Sequence, residues 1–255
     1  MSSRYGSRAL SFVAAIALSG LTLGGCVAND LSLTITRFIP PDPSAAMMGM
    51  CKLDPEITTN LTRGIYDANL GSATSAGYFV NFVVKSNLQA ATIAPIETQA
   101  YYINSFDVEL ELQGAVKTVI PESKRRFNYA SGSVRLTPGS SASASAIAIK
   151  PEFADAIATL NTDDPGLVIA HVRPVATRAE EQVVGAFVSF PIQICRGCLT
   201  GSTTYPDCPL PKGTIVPPGN ACNPAQDLAV GCCGRVDANM NTTLACGSAA
   251  PISSM

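Results

Sequence analysis

The chain has no tryptophan and one histidine, His171, and charged side chains make up only 14% of its 255 residues. Without indole rings it offers few stacking platforms for sugars, and one imidazole leaves little choice of general base. G-x-S-x-G, S-x-x-K, H-E-x-x-H and the Walker loop are all missing. Their absence removes the commonest hydrolase and nucleotide chemistries. Basic residues do not outnumber acidic ones: 17 against 19 gives a formal charge of -2, which excludes a strongly basic nucleic-acid binder. Beyond residue 25 no run approaches the roughly 18 consecutive apolar residues of a transmembrane helix.

What is present is 47% apolar residues together with 20 glycines and 18 prolines. The first figure argues against a disordered solvating chain, and the glycines and prolines argue against a long helical bundle. The expectation is a strand- and turn-rich body with an appendage. Its parts are a leader over 1–25, a body over 26–194 and a cysteine-rich segment over 195–255.

The leader has a basic head with Arg4 and Arg8, an apolar run from Ala9 to Leu23, and small residues before Cys26. At 1.5 Å per residue a helical run of about 15 residues reaches about 22 Å, short of a hydrocarbon core of about 30 Å. It therefore reads as a secretory signal. Leu23-Gly24-Gly25-Cys26 follows directly and resembles the bacterial lipobox, whose cysteine is acylated before the chain is cut in front of it. An ordinary secretory peptide beside a disulfide cysteine is the alternative. The chain resembles lipoproteins of the Gram-negative envelope. The resemblance implies lipidation at Cys26, the bilayer as partner and, because Val27 rather than Asp follows the cysteine, the outer membrane. Losing Arg4 and Arg8 leaves 15 basic residues against 19 acidic ones, a charge of -4.

In the body, Leu31 to Phe38 alternates apolar and polar residues, as a half-buried strand does. Strands are also expected at Arg63–Asn69, at Tyr78–Lys85, whose two apolar faces mark a central strand, and at Phe106–Gln113. A Gln113-Gly114 turn would lead into a further strand at Ala115–Ile120. The Ser/Ala stretch is read as two weak edge strands of one sheet, Ser133–Leu136 and Ser143–Lys150, and Pro151–Leu160 as a short helix. Strands at Leu167–Pro174 and Gln182–Ile194 close the body. The count suits an all-β, antiparallel, immunoglobulin-like β-sandwich. A jelly roll or an open barrel fits the same pattern.

The last quarter holds Cys195, Cys198, Cys208, Cys222, Cys232, Cys233 and Cys246, and the prolines among them leave little room for regular elements. Setting Cys26 aside for lipid leaves these seven and Cys51, an even number suited to disulfides in an oxidising compartment. A closed set requires Cys51 to bridge the body to the tail. Eight cysteines allow 105 pairings, and sequence does not choose among them. Adjacent Cys232 and Cys233 are expected to take different partners, because a vicinal ring is strained. Cys195-Arg196-Gly197-Cys198 also has the spacing of half a zinc site or of a redox motif, but no second C-x-x-C and no His lie in the tail, and the stretch lacks a βαβ setting.

Other candidates have simpler readings. His171 lies in a strand, and Asp107, Glu109 and Glu111 alternate with apolar residues, so they read as a solvated face rather than a glycosidase pair. Asp163 and Asp164 offer calcium ligands in a turn, and Lys124-Arg125-Arg126 offers a basic cluster. Met47, Met48 and Met50 beside Cys51 make a soft-metal set or a packing loop. The expected function is a non-catalytic envelope lipoprotein that needs no cofactor. It would bind an envelope protein or glycan and no nucleic acid. An envelope enzyme or metal-binding protein with a loop-built site is the alternative.

Overall fold

Where apolar and polar residues alternate, the chain forms strands. The computed structural model describes residues 31–42, 51–89, 100–160, 165–200, 204–205, 219–220, 222–236 and 242–246. The body strands are β1 (Leu33–Phe38), β2 (Gly64–Asp67), β3 (Tyr78–Ser86), β4 (Tyr101–Gln113), β5 (Arg126–Leu136), β6 (Ser141–Ile149), β7 (Gly166–Arg178), β8 (Glu181–Val184) and β9 (Val188–Cys195). Two short helices, α1 (Ala68–Thr74) and α2 (Ala154–Ala158), join them. In the tail, β10 (Thr204–Tyr205), β11 (Cys232–Val236) and β12 (Thr242–Cys246) form a small sheet where the prolines predict little regular structure. Among the described residues no helix is long and apolar enough to cross a membrane.

The body is mostly β, with two sheets packed together. One has the order β1-β3-β6, and the other β2-β9-β7-β4-β5 with β8 on β7. The larger sheet curls into a half-barrel. β3 is central, as its two apolar faces predict, and Val80, Phe82, Val83 and Val84 are all buried. In β6 the period of two decides the fate of the Ser/Ala stretch: Ala144, Ala146 and Ala148 are buried, and Ser143, Ser145 and Ile147 on the other face are half-buried. Ser133–Leu136 and Ser143–Lys150 thus fall at the edges of two different sheets, within β5 and β6, rather than in one.

Two sequence expectations need correction. Ala115–Ile120 is not a strand: Ala115–Thr118 is a 3-10 turn. Val116 and Ile120 are buried while Thr118 between them is exposed, which breaks the period of two that a strand would keep. Gly114 does take positive φ, at 80°, and its backbone lies against Gly166, so a side chain at either position would meet the other strand. The second correction concerns direction. β2 pairs in parallel with β9, so the body is not antiparallel throughout. No hairpin links these strands, and β2 is held on its other side by the tail, through a Tyr66–Gln226 bridge and an Asp67 N–H to Ala225 C=O bond of 2.9 Å.

The sheets meet through Phe38 and Phe82 from the smaller and Phe106 and Phe190 from the larger. The Phe82 and Phe106 rings stand 4.9 Å apart edge to face, and those of Phe38 and Phe190 are 4.5 Å apart. Leu199, Ala225, Val230 and Cys232 belong to the same core, which is therefore continuous across the composition change at 194/195. A Cys51–Cys222 disulfide spans 171 residues and ties the segment before β2 to the tail. In the chain-entropy account, closing so long a loop is worth about 5 kcal/mol. β5 carries a bulge: Ala130 and Val134 face Ser105 and Ile103, so residues 131–133 oppose Asn104 alone.

Phe82→Ala should lower the unfolding free energy by about 3–5 kcal/mol in urea titration. Leu31→Ala, at a residue 70% exposed, should change it by no more than about 0.5 kcal/mol.

Candidate functional site

The outer face of the larger sheet carries the alternating polar residues of β4. Asp107 accepts from Arg173 Nε at 2.9 Å and from Asn128 Nδ2 at 3.0 Å, and Glu109 accepts from Arg126 Nη2 at 2.6 Å. These are cross-strand pairs on neighbouring strands, which fix one another's rotamers. Beside them an open groove of about 760 Å³ runs between the sheet face and the 3-10 turns. Glu111, Lys117, Glu122, Arg125, Arg126 and His171 are among the residues lining it.

His171 of β7 stands between two side chains that the sequence alone does not assign to it. Its Nδ1 is 2.8 Å from Ser189 Oγ on β9, and its Nε2 is 3.7 Å from Glu111 Oε2 on β4. The order Ser–His–Glu is that of a nucleophile, a base and an orienting carboxylate. The setting is different. Ser189 projects from a paired strand whose amides serve the β7–β9 ladder, whereas acyl transfer needs amide donors converging on one developing oxyanion. What the face provides is a rigid, mixed-charge surface suited to hydrogen-bonding a ligand.

At the end of the sheet the parallel pairing of β2 and β9 brings Asp67 and Cys195 abreast. Asp67 is fully buried and caps α1, with its Oδ1 accepting from the N–H groups of Asn69 and Leu70. The same carboxylate accepts from Gly197 N–H at 2.8 Å and Leu199 N–H at 3.0 Å, across the turn that carries the Cys195–Cys198 disulfide. Asp67 oxygen and both sulfurs lie within 4.8 Å of one another, the only such grouping of three potential metal ligands among the described residues. With the sulfurs bonded to each other and both carboxylate oxygens accepting amide hydrogens, the donor set is committed and does not suit an ion. This disulfide closes a loop of separation 3, worth only about 2 kcal/mol by the same chain-entropy account.

The tail is fastened by a second acid on the other side of β2. Asp227, at φ 66°, accepts from Ile65 N–H at 3.0 Å and from the Tyr78 hydroxyl at 2.8 Å. Next to it, Gln226 uses both ends of its amide on Phe79: Oε1 accepts from the backbone N–H at 3.0 Å and Nε2 donates to the C=O at 3.1 Å. A side chain here takes the place of a neighbouring strand. Burial pushes the Tyr78 hydroxyl well above its usual range, and the Asp227 charge adds to the effect. Burial also raises the Asp227 carboxyl, against hydrogen bonds from Ile65, Tyr78 and Gln226 that lower it.

Of the residues singled out in sequence, Cys51 pairs with Cys222 and Cys195 with Cys198, while Cys232 and Cys233 are both buried and disulfide-bonded. Cys246 lies in β12 opposite Cys232 of β11. Cys26, Met47, Met48, Met50, Asp163, Asp164 and Cys208 fall outside the described residues. The Met–Cys soft-metal set loses its thiol to the disulfide at Cys51. The basic cluster is not a free anion patch: Lys124 meets Glu152 at 3.5 Å, Arg125 Nε donates to Ile120 C=O at 3.1 Å, and Arg126 binds Glu109. Asp67, Ser189 and Asp227 escaped the sequence reading. Asp67 before a short helical stretch has the form of an N-cap, the one available signal.

No family model matches this sequence, and no curated protein does. Among solved structures, a crystal structure of a protein from Archaeoglobus fulgidus is similar over 45% of this chain and 83% of its own, at 10% identity and a TM-score of 0.29. A likeness of that extent carries no argument about function.

A carboxyl raised in the folded state holds its proton more tightly there than in the unfolded chain. Its contribution is fully present below the usual value of 3.8 and is lost as pH rises through the folded-state pKa. Asp227→Asn keeps an oxygen for Ile65 and Tyr78, tolerates positive φ and removes the charge. Thermal melts from pH 4 to 7 should show the wild type losing stability relative to Asp227→Asn as pH rises. A gap that is flat or of opposite slope would refute this role for the carboxyl.

Proposed function

We propose that the protein is a non-catalytic envelope lipoprotein, held on the bilayer through acylated Cys26, that presents the polar face of its larger sheet to an envelope protein or glycan. The observation that carries the reading is the groove beside β4, lined by Glu109 and Glu111. These two carboxylates, and Asp107 next along the strand, each face an Arg, Asn or His across the sheet, so a hydrogen-bonding surface stands ready without reorganisation. The immunoglobulin-like reading of the body belongs with this proposal. Two packed sheets favour it, and the curl of the larger sheet and the parallel β2–β9 pair count against it.

The placement of the groove suits display. Cys26 precedes Ser32 by six residues, so its sulfur lies within about 21 Å of that end of the body. Ser32 Oγ bonds the hydroxyl of Tyr101, the first residue of β4. Glu111 comes ten residues later along the same strand, about 34 Å away at the usual rise. On this reading an anchor at Cys26 would join the body at the Ser32 end, opposite the Glu111 end of β4, and that supports display of the groove. Outer-membrane placement rests on Val27 after the cysteine.

Intact-mass measurement of the protein from its native membrane should show acyl chains on Cys26 and a gain of about eight hydrogens on reduction, two per disulfide. Glu109→Lys combined with Glu111→Lys should cut retention on isolated envelope fractions at least about tenfold while costing only the roughly 0.2–1 kcal/mol of each exposed cross-strand pair in stability, since a reversed contact with a ligand commonly costs more than about 1.4 kcal/mol. An unacylated mature form counts against the anchor. Undiminished retention counts against the face.

A further inference from the structure

We propose that Cys195 and Cys198 form a thiol-exchange site, whose disulfide accepts two electrons from a partner dithiol while the fold around it stays closed. The inference goes beyond the recognition role and rests on other residues. Its first support is redundancy. The turn from Cys195 to Thr200 is held without its disulfide by Gly197 and Leu199 N–H to Asp67, Arg196 Nη1 to Leu160 C=O at 2.9 Å and Val230 N–H to Leu199 C=O at 2.9 Å. Opening the sulfur bridge frees almost no chain, because only two residues lie inside it. The Cys51–Cys222 bridge is the opposite case, since its opening releases a loop of 171 residues.

The second support is access. Cys198 is exposed and Cys195 half-buried, so the outer sulfur is the one an incoming thiolate reaches. Cys195 ends β9 two residues after Gln193, on the same outward face. Gln193 lines a cleft of about 330 Å³ with Gln113, Gly114, Gly166 and Leu167, where an extended segment carrying the attacking thiol can lie.

The exchange balances as follows. A partner thiolate forms a bond to Cys198 Sγ, the Cys195–Cys198 bond breaks, and Cys195 leaves as a thiolate that is protonated. The partner's second thiol, deprotonated, then attacks its own sulfur in the mixed disulfide and releases Cys198. The partner is left with a disulfide, Cys195 and Cys198 are left as two thiols, and two electrons have moved.

Dithiothreitol serves as the partner dithiol in the test. The full chain would be equilibrated in a graded series of reduced and oxidised dithiothreitol, quenched with an alkylating agent and mapped by peptide mass, with far-UV circular dichroism recorded in parallel. The expected result is reversible alkylation of Cys195 and Cys198 while the spectrum stays native. The Cys195→Ala/Cys198→Ala double variant should lose no more than about 4–8 °C of Tm, whereas Cys51→Ala/Cys222→Ala should lose about 10–20 °C. In the same assay Cys195→Ala should accumulate a mixed disulfide at Cys198 with oxidised glutathione. The proposal fails if Cys195 and Cys198 open only when the spectrum collapses, or if the double variant at 195 and 198 loses as much Tm as the one at 51 and 222. Failure here leaves the groove and the anchor untouched, because neither uses these sulfurs.

Discussion

The Asp67 carboxylate accepts four main-chain N–H groups, two at the start of α1 and two from the turn after β9. A fully buried carboxylate is costly unless its lone pairs are filled with charge-assisted bonds, and here they are filled by segments about 130 residues apart in sequence. One side chain thereby sets where β2 ends, where α1 begins and how the chain leaves β9. The parallel β2–β9 pair is the geometric result. Asp227 works on the other side of β2 in the same manner, with main-chain and tyrosine donors in place of a helix start.

These two acids explain why the cysteine-rich segment is part of the body's core and not a separate appendage. The middle of the tail lays Ala225 and Val230 into the hydrophobic interior and completes the hydrogen bonding of Phe79 through Gln226. The Cys51–Cys222 bridge then limits how far the docked tail can depart. A ligand-binding face needs such stiffness beneath it, and β4, the strand carrying Asp107, Glu109 and Glu111, lies between two long neighbours in the same sheet.

Strand existence was legible wherever the alternation was strong. The strands around Phe82, Phe106 and Val168 carry their inner and outer faces in their residue order, and even the Ser/Ala stretch declares itself once its period of two is taken over its composition. Ala115–Ile120 misled because a glycine with positive φ serves a 3-10 turn as readily as a hairpin. What stayed hidden was register across long separations. That His171 meets Ser189 and Glu111 depends on how β7 slides against β9 and β4, and no local pattern states it. The partnership of Asp67 with Gly197 and Leu199 depends likewise on a parallel pairing between residues 128 apart in sequence, for which no turn gives a clue. Cysteine parity pointed to disulfides, while the choice of Cys222 for Cys51 needed the packed tail.

The outermost strand of the half-barrel also bears on how the sheet ends. A straight, unpaired margin is a template on which a second copy extends the ladder, and crowding on any two-dimensional surface favours that growth. β5 carries three residues opposite one, at Ser131, Gly132 and Ser133, midway along its length. That kink throws the backbone groups of the strand out of step, so its outer margin offers no continuous row on which a further strand could extend the ladder.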